Sequence, residues 1–189
     1  MFTKAISCLS GPDDDVMLPR GSLKSDWEVE LGVVMGRTAR YVSETEALDY
    51  VAGYVLANDV SERQWQLERG VQWDKGKGFD TFGPVGPWLV TRDEMPDPQS
   101  LGLFLDVNGR RMQTGNTRTM IFNVRQLIAY VSRCITLCPG DLVITGTPPG
   151  VGMGMKPNPV YLKEGRRDDT GNRRSRAAAA TRRGLEENH

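Results

Sequence analysis

Asp26-Trp27-Glu28-Val29-Glu30-Leu31-Gly32-Val33-Val34 is the stretch whose reading decides the fold. A β-strand sends successive side chains to opposite faces, so Trp27, Val29, Leu31 and Val33 share an apolar face that predicts a core strand. Glu28 and Glu30 lie on the other face, which continues into Gly32 and Val34. Two carboxylates on neighbouring same-side positions repel each other, and more strongly where water is excluded. An edge strand with two solvated glutamates gives the same pattern. A hard cation such as Mg²⁺ or Mn²⁺ would instead turn the repulsion into binding, because it takes oxygen ligands.

Beyond that strand, Ser43-Glu44-Thr45-Glu46 has the form of a capping box and predicts a short helix over 44–51. Tyr54-Val55-Leu56-Ala57 predicts a buried strand that runs into Asn58-Asp59. A carboxylate at the end of an apolar strand needs a partner; alternatively, Asp59 caps a helical turn begun at 61–64. Arg63 and Gln66, three apart, then share a helical face beside it. Residues 70–86 form a long glycine-rich loop, and loops of that length in compact domains are functional or disordered. Its aromatic residues argue against disorder. Lys77, set between Gly76 and Gly78, is either a solvated side chain or a cation with free approach to an anionic substrate.

Residues 88–91 predict a strand, and Leu101, Leu103, Leu105 and Val107 alternate into Asn108-Gly109, a strong hairpin signal, with a return strand over 110–114. Asn123, with Gln126 three residues on, caps a helix with apolar positions Val124, Leu127, Ile128 and Val131. Cys134 extends that stripe and Cys138 lies just beyond, which predicts structural thiols. Leu142-Val143-Ile144-Thr145 predicts a buried strand ending in the glycine-rich run 146–152. That run lacks the Gly-Lys-Ser/Thr ending of a phosphate loop, and no helical pattern comes after it. The backbone amides of Gly146 and Thr147, with the Thr147 hydroxyl, are candidates for holding the carboxylate of a small ligand. On the N-terminal side, Gly11-Pro12-Asp13-Asp14-Asp15 is a turn and Val16-Met17-Leu18-Pro19 a small edge strand. The opening reads like the middle of a protein.

The length of 189 residues suits one domain, and 39% apolar with 25% charged residues is a soluble globular composition. No apolar run reaches the length of a membrane span, and no signal peptide opens the chain. Three cysteines without a metal-finger spacing imply a reduced, cytoplasmic setting. The formal charge of zero hides an asymmetry. Residues 166–189 hold seven Arg and four acids, leaving 17 basic and 20 acidic residues elsewhere, a balance that gives no reason to expect nucleic acid. After Gly165 the apolar periodicity vanishes. One reverse translation of the run from Gly165, with a single G deleted, reads Gly-Asp-Val-Met-Thr-Leu-Gly-Ile-Glu-Gly-Leu-Gly, an alternating strand with a turn. The expectation is that 166–189 is a non-family tail, out of frame and disordered, standing in place of a native terminal strand.

Five blocks occur in one order: Asp26 to Gly32; Ala57-Asn58-Asp59-Val60-Ser61; Gly76-Lys77-Gly78-Phe79-Asp80-Thr81-Phe82-Gly83-Pro84; Asn116-Thr117 with Met120-Ile121-Phe122; and Pro139-Gly140-Asp141 through Thr145-Gly146-Thr147-Pro148. Over residues 2–165 the chain resembles the fumarylacetoacetate hydrolase family, in its bacterial branch of acylpyruvate and diketo-sugar-acid hydrolases. The resemblance implies a mixed β fold, β-rich α+β, with a rolled, barrel-like sheet and short helices, as a homodimer. It places a catalytic domain of the fumarylacetoacetase C-terminal type at 1–165. It implies Mg²⁺ or Mn²⁺ on Glu28, Glu30 and Asp59, substrate contacts at Arg63, Gln66, Gly146 and Thr147, and Lys77 as the active-site lysine. Gly78 stands where many members have Ser.

The implied reaction is hydrolysis of a C–C bond in a small diketo acid through a metal-bound enolate, with the metal polarising the carbonyl, Lys77 stabilising the enolate and a base activating water. Members draw that base from a His–Glu pair in a segment that would precede Met1, whereas the one histidine here is His189. The expectation is therefore a chain lacking its N-terminal segment, with metal binding more secure than turnover. Alternatives are a lyase, isomerase, hydratase or decarboxylase on the same metal site, or a catalytically impaired truncated member. The partner expected is a small carboxylate substrate, with no nucleic acid and no membrane.

Overall fold

A computed structural model of the chain describes residues 1–163. The expected tail at 166–189 lies outside the described residues.

Strand β1, Val29–Met35, is the centre of a four-stranded antiparallel sheet. It pairs on one side with β2, Val51–Asn58, and on the other with β6, Leu142–Ile144. Strand β3, Val90–Thr91, closes the far side of β2. The alternation read from the sequence holds: Val29, Leu31 and Val33 are buried in the main core with Trp27, Tyr54, Leu56 and Ile128. The opposite face is buried too, since Glu28 is 8% and Glu30 3% exposed. That removes the solvated-edge reading. β6 is only half-buried, not the buried strand expected, because it forms the sheet's outer edge.

Strands β4, Gly102–Val107, and β5, Arg110–Asn116, make the expected hairpin. Asn108 and Gly109 at its tip both take positive φ, the geometry a two-residue turn requires. Helix α1, Val124–Cys134, starts at Asn123 with both reciprocal hydrogen bonds to Gln126 in place. It buries Val124, Ile128, Ala129 and Ser132. Cys134 falls off that face and is exposed, as is Cys138, so neither has the buried place a structural thiol was expected to take.

Two other expectations change. The helix over 44–51 is a single 3₁₀ turn, Ala47–Tyr50, because Val51 already enters β2. Residues 16–19 form no strand; the Met17 N–H donates to the Thr81 hydroxyl rather than to a ladder. Two short pairs complete the pattern: Ser25–Asp26 with Ser61–Glu62, antiparallel, and Leu9–Ser10 with Gly83–Pro84, parallel. The fold is thus a mixed, sheet-rich α+β arrangement with few short helices, and no closed barrel forms among the described residues.

Candidate metal and substrate site

Every residue singled out from the sequence lines one cavity of about 420 Å³: Glu28, Glu30, Asp59, Arg63, Gln66, Lys77, Gly146 and Thr147. Adjacent strands bring the acids together. Glu30 stands opposite Ala57 in the β1–β2 register, and the chain leaves β2 at Asn58 with the Asp59 N–H donating to the Glu28 carbonyl (2.8 Å). Glu28, Glu30 and Asp59 each offer an oxygen within 4.8 Å of the others. Asp59 caps no helix, since Ser61–Glu62 goes on as a strand.

Lys77 is not solvated; it is 1% exposed. Its Nζ donates to Asp59 Oδ2 (2.6 Å) and Glu28 Oε2 (2.8 Å), and lies 4.9 Å from the centre of the Phe2 ring. Within the expected loop, Asp74–Lys77 forms a helical turn that carries it. Gly76 explains the flanking glycine by close approach rather than mobility: a Cβ there would stand 2.6 Å from both the Gln66 nitrogen and the Glu62 carbonyl.

Arg63 and Gln66 do meet, through Arg63 Nη1 donating to Gln66 Oε1 (3.0 Å), but on a π turn, Gln64–Glu68, rather than an α-helix. Arg63 also bridges to Glu28 Oε1 (2.6 Å), while its Nε donates to Asp26 Oδ2 (2.9 Å). Nη2 is 2.8 Å from that same oxygen without hydrogen-bond alignment, so it is a charge contact only. Burial would lower the Arg63 pKa, but Glu28 and Asp26 outweigh it and raise it.

Glu30 differs from its neighbours. Its one hydrogen bond in the site comes from the Gly146 N–H (2.7 Å), and no cation among the described residues bonds to it. Burial, with the charges of Asp59 and Glu28, pushes its carboxyl up to about 8, against the Gly146 N–H and Lys77. The Gly146 amide is therefore turned to Glu30, and the Thr147 hydroxyl donates to the Val29 carbonyl (2.9 Å). Of the groups expected to hold a ligand carboxylate, the Thr147 N–H makes no hydrogen bond among the described residues.

Three participants escape a reading of the sequence. Lys4 Nζ donates to Asp59 Oδ1 (2.7 Å), and nothing in its sequence surroundings announces it. Asp26 is buried, accepts from the Gly152 and Met153 amides, and anchors Arg63; the block that begins with it includes the residue but gives it no role. Gln113, fully buried, sits in a return strand with no apolar alternation to flag it.

A second cavity, of about 270 Å³, shares no lining residue with the first. Its Arg92 and Arg125 are engaged by Asp49 and by the Leu48 and Thr45 carbonyls, and it offers no comparable convergence of carboxylates.

Three hard oxygen donors, converging and buried, with one of them lacking a cationic partner among the described residues, fit a small divalent ion. The model of the fumarylacetoacetate (FAA) hydrolase C-terminal family matches residues 1–169. A Burkholderia multivorans protein named "Putative hydrolase" is 68% identical over 165 residues, 87% of this chain and 58% of its own. The fumarylacetoacetate hydrolase structure from Exiguobacterium antarcticum is 43% identical with a TM-score of 0.82, covering 87% of this chain and 58% of that one. The 2-hydroxyhepta-2,4-diene-1,7-dioate isomerase from Mycobacterium marinum is also 43% identical, with a TM-score of 0.76 over 80% and 58% of the two chains. The chain spans 58% of the length of the curated relatives it matches.

Proposed function

Because this chain belongs to the fumarylacetoacetate hydrolase family, we propose that it takes part in divalent-metal-dependent hydrolysis of a C–C bond in a small diketo acid of the acylpyruvate type. The observation that carries the reading is the convergence of Glu28, Glu30 and Asp59 beside the buried Lys77 in one cleft.

Mg²⁺ or Mn²⁺ held by those three carboxylates would supply Lewis-acid polarisation of the substrate's adjacent oxygens. The chain's own residues do the rest. Lys77, desolvated and already aimed between Glu28 and Asp59, stabilises negative charge as it develops on the carbonyl oxygen during bond cleavage. In this reading the Thr147 N–H and the Gln66 amide, both at the cavity wall, take the substrate carboxylate. Arg63, locked by Asp26, holds Gln66 in place. Charge supports an anionic substrate: the cluster holds four carboxylates (Asp26, Glu28, Glu30, Asp59) against three cations (Lys4, Arg63, Lys77). A divalent ion leaves one positive charge in excess, which a monoanionic 2-oxo acid cancels. Hydrolysis also needs a base for water, and no described residue is assigned to that step.

Structural neighbours named as isomerases favour a second reading, isomerisation of a 2-hydroxydienoate at the same cleft. Assays of acylpyruvates and 2-hydroxydienoates with Mn²⁺ separate the two. Calorimetric titration with Mn²⁺ tests what they share: one saturable site is expected in the wild type and none in Glu30→Ala, and equal binding by both would overturn the assignment.

A further inference from the structure

We propose that Gln113 is the positioning residue that sets the two glutamates of β1, by standing in for a strand partner that β1 lacks. The inference rests on the reading of Glu28, Glu30 and Asp59 as a metal site. Pairing between β6 and β1 ends at Ile144 opposite Gly32, and the last backbone bond across that edge is from the Thr145 N–H to the Leu31 carbonyl (3.1 Å). The chain then turns away at Gly146, where φ is +99°, and among the described residues the edge of β1 at Val29 has no strand beside it. Side chains complete it. Gln113 Oε1 accepts from the Val29 N–H (2.9 Å), Gln113 Nε2 donates to Thr147 Oγ1 (2.8 Å), and Thr147 Oγ1 donates to the Val29 carbonyl (2.9 Å). The ring is closed, with each donor facing an acceptor. A second bond, from Gln113 Nε2 to the Pro148 carbonyl (2.8 Å), fixes which end of the amide is which, since a flipped amide would set two donors and two acceptors against each other.

The two peptide groups gripped by this ring join Glu28 to Val29 and Val29 to Glu30. Their orientation decides where both carboxylates point, and the same ring lets the 145–148 loop leave the sheet so that the Gly146 amide reaches Glu30. The arm that supplies Gln113 is itself held close. A Cβ on Gly115 would lie 2.5 Å from the Pro148 ring, and one on Gly150 would collide with the Met112 carbonyl. Gln113 belongs to a hairpin separate from the sheet that bears the acids, so it couples the hairpin to the site.

The test measures Mn²⁺ affinity by calorimetry, with thermal melting alongside, on the whole chain. Gln113→Met keeps the volume and removes the ring; Thr147→Val removes only the hydroxyl, and Thr147→Ser retains it. Expected are affinity losses of roughly 10- to 100-fold in Gln113→Met, a loss in Thr147→Val, recovery in Thr147→Ser, and a double variant no weaker than Gln113→Met, because the ring acts as a unit. Melting should stay cooperative. Wild-type binding with unchanged affinity in Gln113→Met and Thr147→Val would overturn the inference and leave the metal reading standing. No Mn²⁺ binding by the wild type would remove both. If Gln113→Met does not fold, the Thr147 pair decides alone.

Discussion

Lys77 Nζ lies 2.6 Å from Asp59 Oδ2, with neither side chain more than 1% exposed. A buried ion pair of this kind costs desolvation to form, and removing Lys77 leaves Asp59 to Lys4 alone and Glu28 to Arg63 alone, with fewer cations among the clustered carboxylates. Lys77→Met should therefore destabilise the metal-free protein by about 1–3 kcal/mol, measured by denaturant unfolding, and Mn²⁺ should restore part of that loss. Turnover of a diketo acid should not return with it. Unchanged unfolding midpoints would refute the pairing.

Glu30 gives the site a pH dependence with a definite sign. Its carboxyl is raised from 4.5 to about 8, so across that window the folded chain holds a proton that the unfolded chain has released. The contribution of Glu30 to stability therefore falls as pH rises from 4.5 to 8 and is flat above it. Melting curves without metal should show this decline, and Glu30→Gln should flatten it. Metal binding expels that proton, so Mn²⁺ affinity should climb with pH up to about 8.

Gly76→Ala tests the close approach beneath Lys77. The added methyl meets backbone at the Gln66 nitrogen and the Glu62 carbonyl, neither of which can swing aside. A cost of roughly 1–3 kcal/mol is expected, together with weaker substrate binding as Lys77 shifts. The same exchange at Gly102, where a Cβ meets nothing within 4 Å, should leave substrate binding alone.

Asn123→Ala provides a comparison far from the acids. It removes the side-chain acceptor for the Gln126 N–H (2.9 Å) at the start of α1. The loss should be about 1 kcal/mol in unfolding, with Mn²⁺ affinity unaffected.

Local rules make the long strands, the hairpin tip and the α1 cap legible, because each depends on side chains a few residues apart, whereas the short pairs at 9–10 and 25–26 form with partners more than 30 residues away. The acids of β1 stand out as a chemical oddity before any fold is in hand. Lys4 and Gln113 do not, since each acts across a separation of 34 residues or more, on Asp59 and on Val29 and Thr147. The half-burial of β6 is hidden for a related reason: Leu142-Val143-Ile144 has the composition of a central strand, and only the strand order places it at an edge. Lys77 is ambiguous because glycines on both sides suggest mobility, while Gly76 serves contact between two backbones.

The wide turn at Gln64–Glu68 bonds each residue to the fifth along, one more than an α-helix would use. Deleting a single residue would let the segment rewind as an ordinary helical turn, in which four residues cover about the arc that five cover here, so the downstream chain would keep its direction. The cost of such a gap would fall on the Arg63–Gln66 hydrogen bond, whose spacing the wide turn sets, and not on the stretch bearing Lys77.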